Sequence, residues 1–258
     1  MAAGRSGLGA VGGLLLAGAF AVPLLALIAR AFADVWRAPG LLPERWGTRG
    51  LEVAFRDSDA ISALWTSLAV GAATTAVAIV LAWPAARVLG ERRLRHPGPV
   101  VLLLAMPLLV PPYAVGTGLT EWFLRIELAG TLVGLVLAHL TLVLPYAVLL
   151  LLSGFTPDLR RAEEMGHGTG LSPLQRLRWV TVPSLRPTLA ATALVSFLVS
   201  WSQYGTSLAV APTTPTLPVI MLPYIGSDPQ VASTLALLFL APASLALFAT
   251  TRALRAAA

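Results

Sequence analysis

The groups available for chemistry in this 258-residue chain are few and one-sided. Eighteen basic residues, every one an arginine, stand against twelve carboxylates and three histidines, and neither lysine nor cysteine occurs. Without lysine there is no P-loop ammonium to hold a nucleotide phosphate, no Schiff base and no amine nucleophile. Without cysteine there are no disulfides, thiolate catalysis, iron–sulfur clusters or thiolate zinc sites. His96, His139 and His167 are too scattered to make a ligand cluster. No HExxH, no GxSxG and no pair of carboxylates inside an apolar run is present, so a membrane-embedded enzyme would lack its nucleophile, base and metal ligands. The net charge of +6 would suit nucleic acid if the arginines shared one polar face of a soluble fold. Instead they sit in short blocks between long apolar runs, which is the membrane pattern.

Two stretches carry polar residues at spacings that could do work. The first is TPDLRRAEEMGHGTGLSPLQRLRWVTVPSLRP, residues 156–187. Thr156 suits an N-cap, Pro157 the first helical position and Asp158 the positive end of the helix dipole. A helix is expected through Arg161 and Glu164 to about Met165, ended by Gly166, Gly168 and Gly170, which permit positive φ. Ser172-Pro173-Leu174-Gln175 then reads as a capping box opening a second helix, with Leu174, Leu177 and Trp179 against Arg176 and Arg178, terminated by Pro183. An interfacial helix with its arginines at the lipid headgroups is the competing reading of this loop. The second stretch is a set of breaks and hydroxyls inside apolar runs. Pro107, Pro111 and Pro112 precede Tyr113, Gly116, Thr117 and Gly118, a bent and polar-lined segment. Ser196, Ser200, Ser202, Gln203, Tyr204, Gly205, Thr206 and Ser207 form another. Such features mark solute pathways in membrane proteins. Small and hydroxyl residues equally let helices approach closely, and His139 equally suits an interhelical hydrogen bond.

The elements that must position these residues follow from walking between charges. Only 12% of residues are charged, about half the usual share of a soluble domain, and mean hydropathy is +0.79. The intervals Arg5–Arg30, Asp59–Arg87, His96–Glu121, Glu127–Asp158 and Asp228–Arg252 enclose 24, 27, 24, 30 and 23 residues without Asp, Glu or Arg. Each exceeds the roughly 20 needed to span a bilayer. Arg186–Asp228 encloses 41 and is too long for one span. Pro212, Pro215, Pro218 and Pro223 suggest a helix at 187–208 followed by a loop. The expectation is an all-α polytopic membrane protein of six spans, the later five near 60–86, 99–120, 129–153, 187–208 and 231–251. Residues 1–59 form the first span and an external loop, and 253–258 a tail. A signal peptide ending at Ala31-Phe32-Ala33 competes for the first span, against its length and against Arg30 beside the site. With the N-terminus inside, cytoplasmic segments hold 12 arginines and 4 acids, and outer segments 6 and 8. Both termini are therefore expected in the cytoplasm.

Glu164-Met165-Gly166, three residues, Gly170, nine residues and Val180-Thr181-Val182-Pro183 resemble the pattern E-A-A, three residues, G, nine residues, I-x-L-P of binding-protein-dependent ABC importer permeases, the type I fold. Met165 and Gly166 depart from the two alanines. The resemblance covers about residues 60–252. It implies that the 157–183 loop couples the spans to a separate ATPase, with Glu164, Gly170, Pro183, Arg161 and Val180 as the docking set. It further implies an ATPase dimer that binds the ATP, a second permease subunit and an extracytoplasmic solute-binding protein, in a bacterial inner membrane, with no cofactor, metal or nucleic acid of this chain's own. The runs WSQYGTSLAV and TLPVIMLPYI, with the Pro-Pro-Tyr stretch, resemble permeases of the iron(III), thiamine, polyamine, sulfate and molybdate branch. Separately, the breaks and polar groups inside the spans make Tyr113, Thr117, His139, Ser202, Gln203 and Tyr204 pathway candidates. A secondary transporter is the rival class. It would need an intramembrane ion site, and one histidine is the only ionisable group deep in a span.

Overall fold

The computed structural model describes residues 3–56, 58–91 and 94–257. Asp57, Arg92 and Arg93, charges of the loop and orientation readings, lie outside the described residues, as do the side chains of Arg5 and Arg255. Helices dominate, because a chain this apolar must pair its backbone N–H and C=O groups within each segment wherever water is excluded. The elements begin with α1 (Ala3–Ala31), the two-stranded antiparallel ribbon β1 (Ala33–Val35) and β2 (Arg45–Trp46), α2 (Arg49–Arg56) and α3 (Ser58–Gly90). There follow α4 (Pro97–Ala105) with a 3₁₀ turn at Met106–Leu109, α5 (Pro112–Arg125), α6 (Leu132–Leu151) and α7 (Pro157–Gly168). A short α8 (Pro173–Arg176) passes through a π-turn (Leu177–Thr181) into α9 (Val182–Trp201). The chain closes with α10 (Gly205–Val210), α11 (Leu217–Ser227) and α12 (Pro229–Ala257).

Two compact units result. One comprises Met1–Ser62 with Ile220–Ala241, the other Ala63–Val219 with Pro242–Ala258. In the first, the segment read only as an external loop folds into the ribbon and α2. Its centre is a polar cluster at the start of α12. Arg49 grips Asp228 with two nitrogens at 2.8 Å each and donates to Gln230 Oε1 at 3.0 Å, while Gln230 Nε2 donates to Asp34 at 2.9 Å. Gly50 lets α2 lie close: a Cβ there would fall 2.6 Å from Thr234 Oγ1 and 3.2 Å from the Gln230 carbonyl.

The second unit is built round α6, whose buried face meets α3 and α9. Ala78, Ala82 and Ala86 recur at the helical spacing on α3, so nothing bulky separates it from Val143, Ala147 and Leu151 of α6. Leu185 of α9 and Phe155 complete the cluster, with Trp83 meeting Phe155 edge to face at 5.5 Å. Among the described residues, four helical stretches are long and apolar enough to cross a bilayer: Asp59–Gly90, Leu132–Gly154, Pro173–Trp201 and Pro229–Arg252. The fully described part of α1, Leu15–Ala31, is a shorter apolar helix.

Three expectations need correcting. The span read at 99–120 is a broken pair, Pro97–Leu109 and Pro112–Arg125, meeting at 96°. The residue before a proline is driven out of the helical region, and Val110 and Pro111 are accordingly extended (ψ 134° and 135°). The span read at 187–208 runs from Pro173 to Trp201, because Pro183 does not end the preceding helix. The π-turn bonds the Val182 N–H to the Leu177 carbonyl, five residues back, which re-registers the ladder just where the proline enters. The region read as a proline-rich loop contains α11. Its Pro218 lies in the first turn, where no N–H is needed, and Ser67 Oγ accepts the Leu217 N–H at 2.8 Å.

The two broken segments pack on each other through glycine. A Cβ on Gly116 of α5 would sit 2.8 Å from Ala209 Cβ and 3.0 Å from Thr206 Cα, whereas one on Gly118 would meet nothing. Gly116→Ala is expected to cost about 1–3 kcal/mol by forcing α5 and α10 apart, and Gly118→Ala to be neutral or stabilising; thermal melting of the two variants in detergent checks this. A pH effect follows from the first unit. The Arg49 guanidinium, hydrogen-bonded to Asp228, holds that carboxyl below its usual range. A group lowered on folding supports the fold above its unfolded value and withdraws that support as pH falls through the folded one. Asp228→Asn should therefore lower the melting temperature at pH 7, and the gap to the unmodified chain should narrow as pH falls below the ordinary carboxylate range.

Candidate functional site

The loop at 156–183 is a capped and terminated lever. Thr156 is extended (ψ 162°) and its hydroxyl accepts the Leu159 N–H at 3.3 Å, Pro157 opens α7, and Asp158 lies in the first turn. The helix outlasts the expected end at Met165. Gly166 and Gly168 are helical, and only Gly170 takes positive φ (87°). There the Leu171 N–H bonds back to the Gly166 carbonyl and the Gly170 N–H to the His167 carbonyl, each at 3.0 Å, the paired bonds of a Schellman stop. The capping box forms as expected, with the Ser172 N–H donating to Gln175 Oε1 at 2.8 Å and the Gln175 N–H to Ser172 Oγ at 3.4 Å.

On this lever the two adjacent glutamates part company. Glu164 is 61% exposed, paired only loosely with Arg160 one turn back at 2.9 Å. Arg161 is exposed beside Asp158 at 3.4 Å. Exposed pairs of this kind contribute little and are readily exchanged. Val180 packs under α7, its Cγ2 3.6 Å from the Cβ position of Gly166, and Pro183 lies in the first turn of α9. Glu163, one residue before the expected docking glutamate, points the other way. Its side chain is 13% exposed, one oxygen in an ion pair with Arg87 of α3 and the other accepting the Thr181 hydroxyl at 2.5 Å. Arg87 also pairs with Glu91 at 2.7 Å. Sequence reading passed over Arg87, Glu163 and Thr181. The signal was the Glu163-Glu164 doublet, since neighbours on a helix point about 100° apart and cannot share one partner.

The pathway candidates divide. Tyr113, Ser202, Gln203 and Tyr204 line one cleft of about 700 Å³, together with Pro111 and Pro112. It opens where both helices break, and Gly205 permits the approach: a Cβ there would lie 3.0 Å from the Tyr113 nitrogen. Thr117 is outside the cleft lining, its hydroxyl returned to the Ala114 carbonyl. His139 is buried instead, with Nδ1 2.9 Å from Ser200 Oγ and Nε2 2.9 Å from Ser207 Oγ. The Ser207 hydroxyl donates to the Gln203 carbonyl at 2.7 Å. This network assigns the proton to Nε2 and leaves Nδ1 to accept from Ser200. His139 thus pins the α9–α10 break to α6.

No family model matches the chain. An ABC transporter permease protein of Streptomyces antibioticus is 33% identical over 184 residues, 68% of this chain and 77% of the relative. The chain belongs to the ABC transporter permeases. It is a membrane-spanning permease subunit of an ABC importer, a transport component and not an enzyme. The trehalose permease SugB of Mycobacterium tuberculosis is 33% identical over 181 residues, 67% of this permease and 64% of that one. The 2-aminoethylphosphonate permease PhnV of Salmonella typhimurium is 26% identical over 211 residues, 81% and 78% respectively. The fold agrees with the crystal structure of a bacterial ABC transporter involved in the import of the acidic polysaccharide alginate, at TM-score 0.75 over 98% of both chains and 15% identity.

Two glycines of the lever predict opposite outcomes. At Gly170 a side chain must adopt the left-handed conformation, so Gly170→Ala should destabilise the permease by about 1–2 kcal/mol. At Gly166 an added Cβ would make only ordinary contacts of 3.4–3.6 Å with Leu171, Arg176 and Val180. Gly166→Ala, which restores one alanine of the family pattern, should gain about 0.5–1 kcal/mol through helix propensity. Melting curves of the two purified variants distinguish them.

Proposed function

We propose that this permease forms half of the translocation pathway of an ATP-driven importer in a bacterial inner membrane, both termini cytoplasmic. The other half is a second permease subunit, a copy or a sister chain. ATP is bound by a separate ATPase dimer docked on the 157–183 loop, and an extracytoplasmic binding protein delivers the solute. The observation that carries this reading is the lever itself. A 12-residue helix, capped at Thr156 and stopped at Gly170, presents the exposed carboxylate of Glu164 and the exposed side chain of Met165 away from the unit's core. A loop that merely joined two spans would need neither cap nor stop. Arg161 stands on the same exposed surface, Val180 supports the lever from below, and Pro183 begins the helix that carries its motion inward.

The cleft at Tyr113, Ser202, Gln203 and Tyr204 is the proposed passage. It offers hydroxyls, an amide and ring faces but no carboxylate, guanidinium or imidazole, which suits a passage that conducts a solute selected elsewhere. The relatives named for trehalose, 2-aminoethylphosphonate and molybdate or tungstate span a neutral sugar, a zwitterion and an oxyanion. Selection by the binding protein reconciles that range with one neutral cleft. The resemblance of 201–210 and 216–225 to the iron(III), thiamine, polyamine, sulfate and molybdate branch supports a small solute.

The tagged chain, purified from its native membrane in mild detergent, should bring with it a Walker-motif ATPase. Glu164→Arg should abolish that association, or lower transport by at least about tenfold, while the melting temperature stays unchanged. Absence of an ATPase under conditions that keep other membrane complexes intact would overturn the importer reading in favour of a secondary transporter.

A further inference from the structure

Glu163 is charged, largely buried and unused by the docking reading, which leaves its three-way contact unexplained. Its two oxygens reach different elements: Arg87 at the cytoplasmic end of α3, and Thr181 in the π-turn that leads into α9. Thr181 is itself buried, and its hydroxyl also approaches the Arg176 carbonyl at 3.4 Å. Arg87 divides its guanidinium between Glu163 and Glu91, the latter on its own side of the junction. One carboxylate therefore joins the lever α7 to the ends of two membrane-crossing helices. A buried charge keeps its partners because separating them strands a charge away from water. The exposed Arg160–Glu164 pair on the same helix has no such hold.

We infer that Glu163 is the positioning residue that makes α7, the end of α3 and the start of α9 move as one body, so that displacement of the lever by the ATPase reaches the spans. This rests on the proposed docking of an ATPase at Glu164. Docking and transmission are thereby divided between neighbouring residues, Glu164 facing outward to the partner and Glu163 inward to the spans. Loss of Glu163 should leave the ATPase attached but idling.

The test uses the assembled transporter in proteoliposomes. Glu163→Gln, which keeps the size of the side chain and its acceptor for Thr181, should retain the bound ATPase and its ATP hydrolysis while solute uptake per ATP falls at least about tenfold. Because the native chain has no cysteine, an Arg87→Cys/Glu163→Cys pair can be bridged cleanly by a short bismaleimide. The unbridged pair should be uncoupled, and bridging should restore uptake, since a covalent link substitutes for the ion pair within a rigid body. Full coupling in Glu163→Gln, or uptake that is normal before bridging and stopped by it, would overturn the inference by showing that α3 and α7 separate during the cycle. Failure of the unmodified chain to hold any ATPase would instead defeat the docking reading on which it rests.

Discussion

A helix that breaks inside a membrane must find new partners for the backbone groups it frees, because no water is there to take them. Among the described residues the helices are interrupted after Leu109 and after Trp201, and a hydroxyl from each following segment reaches the other. Thr206, at the start of α10, donates its hydroxyl to the carbonyl of Pro112, and Thr120 of α5 donates to the carbonyl of Ala209. Both bonds require α5 and α10 to lie nearly backbone to backbone, which Gly116 and Gly205 allow. The cleft holding Tyr113, Ser202, Gln203 and Tyr204 follows from this arrangement, since irregular backbone at that depth is tolerated where it is packed in protein or lines a cavity. The hydroxyls nearby divide the work: Thr206 and Thr120 tie the two segments together, and Ser202 lines the cleft. His139 adds a third tie, fastening the second break to α6 through Ser200 and Ser207.

The loop at 156–183 solves a different problem with charge. A lever must be stiff, must end where it is told to end, and must be joined firmly to what it moves. Stiffness comes from the caps at Thr156 and Ser172, and the stop from the left-handed Gly170. The joint is ionic because it lies where arginine and glutamate can remain charged yet be shielded by packing. Helical geometry does the sorting: consecutive residues diverge by about 100°, so Glu163 meets Arg87 and Thr181 while Glu164 stays in water. The π-turn serves the same end. By carrying Leu177–Thr181 in a wider turn it brings the Thr181 hydroxyl to Glu163 and lets the helix continue through Pro183.

Much of this was legible in the chain before any coordinates. Counting between charges located α3, α6 and α12 within a few residues, because the cost of a mid-bilayer charge is paid by the side chain alone and needs no tertiary context. Capping at Thr156 and Ser172 was legible for the same reason, being local. What escaped was everything decided by a neighbour. Pro183 reads as a stop unless the π-turn is known, and Gly166 reads as a helix end although α7 runs on through it to Gly168. The prolines at 212–223 read as loop, yet Ser67, about 150 residues away, secures the start of a helix there. Within the proposed pathway, Tyr113, Ser202, Gln203 and Tyr204 converge while Thr117 and His139 do not, a distinction of facing that spacing along one strand of sequence does not carry. Glu163 was hidden by its neighbour, because the family pattern draws attention to Glu164.

The distribution of charge finally bears on how such a subunit can conduct at all. Two of its ion-pair clusters, Arg49–Asp228 in one unit and Arg87 with Glu163 in the other, stand beside helix ends, and neither lies within the cleft. A fixed charge in a solute passage would hold an ion of opposite sign, and a passage that holds its solute does not release it. In the proposed passage, hydroxyls and an amide, whose hydrogen bonds exchange with those of water at little net gain, would give a passing molecule somewhere to rest without a reason to stay. The work of moving it must then come from shape, through helices rigid enough to transmit a displacement and broken where they have to yield. That requirement returns to the two breaks, which bend the helices beside the cleft and tie it to α6, and to the buried carboxylate that joins the lever to the spans.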